Sequence, residues 1–185
     1  MKICIVSDSH DNRFLLAAAV KDAKQRGAEA VLHCGDVVAP TTLRILNPIG
    51  LPVHVIHGNN TGDLYSLARL AHDETSVIHY LGQDAGIELA GKKIFLVHYP
   101  HYARAMCLTG DWDIVCCGHD HKVEIASVPN IKGGETRLLN PGTVGGVGAN
   151  PTYILGDLAA MQFETHLVPI PDELAYNKPS VTPHH

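Results

Sequence analysis

Five short apolar runs of this chain end in side chains that can hold a metal ion. KICIVS leads into Asp8, with His10 two residues on, and AVLHCG leads into Asp36. VHVIHG leads into Asn59, KIFLV ends in His98, and DIVCCG leads into His119 with His121 two residues further. Two Asp, one Asn and four His form a mixed oxygen and nitrogen set, harder than a thiolate zinc site. Seven donors are too many for one ion and natural for two, with an Asp able to bridge ions about 3.5–4 Å apart and a hydroxide lying between them. Such a pair turns water into a nucleophile near neutral pH and neutralises the oxygens of a phosphoryl group during in-line attack. Taken singly, each donor has a plainer reading. Asp-x-His after a strand is a turn or helix cap, Gly-Asp is turn chemistry, Asn59 suits a left-handed turn, and a single His is a core residue. Five run ends carrying the right donor types outweigh those readings together.

CCGHDH, residues 116–121, looks by itself like a compact zinc knuckle. Neighbouring strand residues point to opposite faces, so Cys116 and Cys117 cannot both face one ion. The five cysteines (Cys4, Cys34, Cys107, Cys116, Cys117) include no C-x-x-C pair and read as buried thiols in a reducing compartment. His119 and His121 are the working part of the stretch.

These residues need elements to carry them. Residues 2–7 are a β-branched run fit for a doubly covered strand, and 11–27 repeat apolar residues at helical spacing up to Gly27. Strands over 28–34 and 51–57 flank a short helical stretch near 41–46, which makes right-handed βαβ units and a parallel sheet. After a helix near 64–71 the rhythm changes to VIHYL, AGIELAG, KKIFLVH and WDIVCCG, then KVEIASV, TRLLNPG, TYILGDL and MQFETHLVPI. Gly and Pro punctuate these runs, and mostly antiparallel pairing is expected there. The donors then share the carboxyl edge of the strands, where open α/β sheets bind ligands.

The chain has 185 residues and 45% apolar content. It suits one domain over residues 1–170, burying roughly two thirds of its unfolded surface, with a proline-rich polar tail at 171–185. Net charge is −5 without a Lys/Arg block, against a nucleic-acid-tracking surface. No apolar run reaches the ~18 residues of a membrane span, so no membrane partner and a cytoplasmic address are expected. Thirteen histidines are a surplus that points to metal. Oligomeric state, homo-oligomers included, is left open.

The order D-x-H, G-D, G-N, His, G-H-x-H resembles the calcineurin-like metallophosphoesterases. Here it stands as Asp8-Ser9-His10, Gly35-Asp36, Gly58-Asn59, His98 and Gly118-His119-Asp120-His121. Asn140-Pro141-Gly142-Thr143 resembles the NPG[ST] turn of the small bacterial and archaeal phosphodiesterase branch. The resemblance implies a four-layer α/β/β/α sandwich and a dinuclear metal-dependent phosphodiesterase for small phosphate esters, acting through a metal-bridging hydroxide. It places Asp8, His10 and His121 on one ion, Asn59, His98 and His119 on the other, and Asp36 between them. It implies Mn²⁺, while the donor set also suits Fe, Zn, Co or Ni. The alternatives are a phosphomonoesterase or nucleotidase, and a non-catalytic scaffold on the same fold, like a eukaryotic retromer subunit of similar type. Two departures stand out. Asn60 follows Asn59 where many members carry a His that assists the leaving group, and His98-Tyr99-Pro100-His101 replaces the commoner H-G-H. His101 is therefore the candidate for contacting the substrate or protonating its leaving group.

Overall fold

The computed structural model describes residues 1–170, so the tail expected at 171–185 lies outside the described residues. The first half alternates strand and helix: β1 (Lys2–Val6), α1 (Arg13–Gln25), β2 (Ala28–His33), a 3₁₀ helix (Pro40–Ile49), β3 (Val53–Val55), α2 (Leu64–Ala71) and β4 (Ile78–Tyr80). Next come β5 (Ala85–Leu89), β6 (Lys92–Leu96), α3 (Pro100–Thr109), β7 (Ile114–Cys116), β8 (Val123–Pro129), β9 (Glu135–Pro141), β10 (Thr152–Asp157) and β11 (Gln162–Leu167).

Two sheets result. One has six strands in the order β11-β10-β1-β2-β3-β4, the other five in the order β5-β6-β7-β9-β8. Strands β1 to β4 pair in parallel, as the βαβ reading required. The second half is less antiparallel than its sequence suggested, because β6, β7 and β9 form a parallel centre with antiparallel β5 and β8 outside it. Helix α3 returns the chain over the sheet face as a crossover between β6 and β7, and β8 passes to the edge beyond β9, so that β9 lies parallel to β7. Strands β10 and β11 leave this sheet altogether and extend the first one antiparallel to β1.

Alternation along the strands sorts the core into three apolar layers. Leu16, Ala19, Val20 and Ala23 of α1 cover Cys4, Val6, Val31 and Val53 on the outer face of the six-stranded sheet. Ile3, Ile5, Leu32 and Ile56 meet Ile94, Leu96, Ile114 and Leu139 between the sheets. Phe95, Val115, Cys117 and Leu138 pack against Ala103 and Cys107 of α3 on the far side. The architecture is the expected four-layer α/β/β/α sandwich. Cys116 belongs to the layer between the sheets and Cys117 to the layer under α3, on opposite faces of β7. All five cysteines are buried free thiols. Burial pushes Cys4 and Cys117 well up and Cys107 up to about 11, so these thiols stay protonated.

Candidate metal centre

Every donor expected from the sequence leaves its strand within a few residues and turns into the same spot. Sharp turns are needed for that, and five donors take positive φ: Asp8 (54°), His10 (42°), Asp36 (54°), His119 (77°) and His121 (58°). Asp and His tolerate this region better than most residues, yet such conformers cost on the order of 1–3 kcal/mol each unless neighbours enforce them. Here they do. The Asp8 N–H donates to Gly35 O at 3.0 Å and the His10 N–H to Asp36 O at 3.0 Å. Thr143 Oγ1 donates to Asp8 O at 2.9 Å, and the His119 N–H to Asp8 Oδ2 at 2.9 Å. Asn140 Nδ2 holds Gly118 O at 3.1 Å. A Cβ on Gly118 would fall 1.9 Å from Ser7 Oγ and 2.5 Å from Asp8 Oδ2, so only glycine lets the His119 turn approach β1.

The donors form two groups. In one, His121 Nε2 lies 3.3 Å from Asp8 Oδ1 and 3.2 Å from His10 Nε2, and His10 Nε2 lies 3.8 Å from Asp8 Oδ1. In the other, Asn59 Oδ1 lies 3.1 Å from His98 Nε2 and 2.9 Å from His119 Nδ1. Asp36 stands between the groups, with Oδ1 3.4 Å from His98 Nε2 and Oδ2 3.8 Å from His10 Nε2. Asp8, His10 and His121, and likewise Asp8, Asp36 and His98, have ligand atoms close enough to share a cation.

Lone pairs face one another across both groups, and that arrangement is what a cation relieves. His98 Nδ1 donates to Cys34 O at 2.8 Å, and His121 Nδ1 donates to Val147 O at 2.7 Å. Each bond fixes the tautomer and leaves the Nε2 lone pair aimed into the site, the usual support of a metal-binding imidazole. Asp8 Oδ1 is buried without a hydrogen-bond partner among the described residues. The donor chemistry and this orphaned oxygen both fit divalent ions. Burial alone would depress His98, but the neighbouring Asp36 carboxylate, the Cys34 carbonyl and the charge of Asp8 outweigh burial and raise its pKa. Behind the site, His33 is held neutral at about 3, chiefly by burial and then by nearby His98. Its Nδ1 accepts from the Gly35 N–H and its Nε2 donates to Ser9 Oγ.

His101 is placed differently. It is exposed in the first turn of α3, and its ring meets that of Tyr99 at 5.7 Å, while Tyr99 in turn meets His119 at 4.9 Å and His98 at 5.3 Å. Tyr99, not His101, therefore borders the donors directly. The supporting roles of Thr143 and Val147 were missed; their signal was the glycine-rich run after Asn140-Pro141. Arg104 pairs with Glu124 at 2.6 Å on the surface, away from the donors.

The calcineurin-like phosphoesterase superfamily domain model matches residues 1–161. Phosphodiesterase MJ0936 of Methanocaldococcus jannaschii is 27% identical over 146 residues, covering 77% of this chain and 83% of that protein. Among solved structures, one described as a novel archaeal phosphodiesterase superposes with a TM-score of 0.78 at 23% identity, covering 90% of this chain and 99% of the other. YfcE, a phosphoesterase from E. coli, gives 0.62 at 17% identity, covering 91% and 100%. Vacuolar protein sorting 29 from Cryptosporidium parvum gives 0.57 at 19% identity, covering 90% and 95%, so the fold is also that of a protein named for sorting. With its motifs falling inside a match over residues 1–161, this chain belongs to the calcineurin-like phosphoesterase superfamily.

Proposed function

We propose that the protein is a dinuclear metal-dependent phosphodiesterase that hydrolyses small phosphate esters. The observation that carries this reading is the convergence of all seven donors, drawn from both sheets, into two groups joined by Asp36. Asp8, His10 and His121 hold one ion, and Asn59, His98 and His119 the other, with Asp36 shared. When bound, two divalent ions supply an acidified water as nucleophile and neutralise charge on the phosphoryl oxygens.

The chain's own residues do the rest. Cys34 O and Val147 O keep the protons of His98 and His121 on Nδ1, so both Nε2 atoms stay available as donors. The strained turns hold the carboxylates in place before substrate arrives, so little reorganisation is left for the reaction itself. His101, at the exposed start of α3, meets the leaving group. In line with that role, His101→Ala lowers kcat on esters with poor leaving groups and leaves nitrophenyl esters little changed; equal loss on both would contradict it. Mn²⁺ is the preferred ion, with Fe, Zn, Co or Ni able to fit the same donors. The match to a relative named phosphodiesterase supports the diester preference.

The test is a substrate panel. Metal-stripped protein with added Mn²⁺ is assayed on nitrophenyl mono- and diesters and on nucleotides. Turnover of the diester above the monoester is expected. Preference for monoesters would overturn the diester reading, and silence across the panel with ions bound would favour a scaffold.

A further inference from the structure

Asp36 is gripped on both oxygens by one neighbour. The backbone N–H of Asn60 donates to Oδ1 at 2.9 Å, and its side-chain Nδ2 donates to Oδ2 at 2.6 Å. These are the same two oxygens that face His98 on one side and His10 on the other. The last torsion of an aspartate is soft, so a carboxylate plane left alone turns over a broad range. Two bonds from one residue remove that freedom and point one oxygen at each half of the site. A carboxylate has about four lone-pair positions. Asn60 uses one on each oxygen and leaves one on each for an ion.

We propose that Asn60 is a positioning residue that holds Asp36 in the orientation needed to join two divalent ions. This rests on the two-ion reading above. The residue type fits the task. An amide donates at every pH, whereas a carboxylate in its place would repel Asp36. The loop is pinned as well: Gly62 (φ 57°) lies so close to Val38 that a Cβ would sit 2.1 Å from its carbonyl oxygen, which ties residues 58–62 to the turn after Asp36. Asn60 also explains how a chain without the usual His at this position keeps a reason for a polar side chain there. It acts on the metal centre through Asp36.

The experiment titrates Mn²⁺ into metal-stripped wild type, Asn60→Ala, Asn60→Ser, Asn60→Asp and Asp36→Ala, by calorimetry and by electron paramagnetic resonance. Wild type takes two ions and gives the spectrum of a coupled pair. Asn60→Ala keeps its unfolding midpoint, since the side chain is exposed. It binds the second ion about 10- to 100-fold more weakly, the usual cost of losing an outer-shell partner, and its spectrum shifts toward isolated Mn²⁺. Asn60→Ser, which retains a donor, loses less, and Asn60→Asp loses more. Two ions bound by Asn60→Ala with wild-type affinity and an unchanged coupled spectrum would overturn the role, provided that Asp36→Ala has lost the second ion. If Asp36→Ala itself binds two ions as wild type does, Asp36 does not join them and the role of Asn60 fails; if wild type takes only one ion, the two-ion reading itself fails.

Discussion

His98 and His121 are turned by carbonyl groups that belong to other parts of the chain, Cys34 and Val147. Each imidazole thus enters the site with Nδ1 engaged and Nε2 turned toward the other donors, and Asp8 Oδ1 has no hydrogen-bond partner among the described residues. Asp8→Ala and Asp36→Ala should each lower kcat by at least on the order of 10²–10³-fold, the loss expected for one transition-state electrostatic contact. Steady-state kinetics at saturating Mn²⁺ measure it, and near-wild-type kcat in either variant would contradict the assignment. Gly118→Ala forces Ser7 and Asp8 to move. It should destabilise the fold by about 1–3 kcal/mol, as overpacking does, and weaken Mn²⁺ binding as well. Urea unfolding and an Mn²⁺ titration read the two effects, and a variant unchanged in both would show that β1 yields more easily than its packing suggests. The convergence of these seven side chains was legible in the sequence, because each sits just past an apolar run. The bonds from Val147 to His121 and from Asn60 to Asp36 were not. They span 26 and 24 residues and depend on how two loops approach, which no local pattern encodes.

Elements explain why the donors meet. Parallel strands put all their carboxyl ends on one edge, so β1, β2, β3, β6 and β7 deliver Asp8, Asp36, Asn59, His98 and His119 to a common place. Alternation within β7 separates Cys116 from Cys117, and neither thiol reaches the donors. A Cys116→Ala, Cys117→Ala double variant should keep full Mn²⁺ content while losing about 1 kcal/mol of stability per site, the central cost of a point change. Metal analysis and denaturant unfolding measure this, and loss of an ion would return the thiols to the site. The βαβ rhythm of the first half was readable because helix and strand periods alternate cleanly. The parallel centre β6-β7-β9 was not, since short apolar runs carry no sign of direction. It follows from the crossover through α3 and from β8 taking the edge beyond β9.

For the whole molecule, the site is a seam. Asp8, His10, Asp36 and Asn59 come from loops of the six-stranded sheet, and His98, His119 and His121 from loops of the five-stranded one. Ions bound at the proposed site would tie the two sheets together in the native state alone. At free Mn²⁺ a hundredfold above Kd, one such site adds about 2.7 kcal/mol. Thermal unfolding should therefore shift up with Mn²⁺ and return on chelation, and a midpoint indifferent to Mn²⁺ would contradict a site built across both sheets. Among the described residues no helix is long and apolar enough to cross a membrane. The most direct test of the central claim titrates Mn²⁺ into chelator-stripped protein while following both bound ion and hydrolysis of bis(p-nitrophenyl) phosphate. Without metal no hydrolysis is expected, and the rate should level off at two ions per chain. Full activity with one ion, or none with two, would contradict that claim.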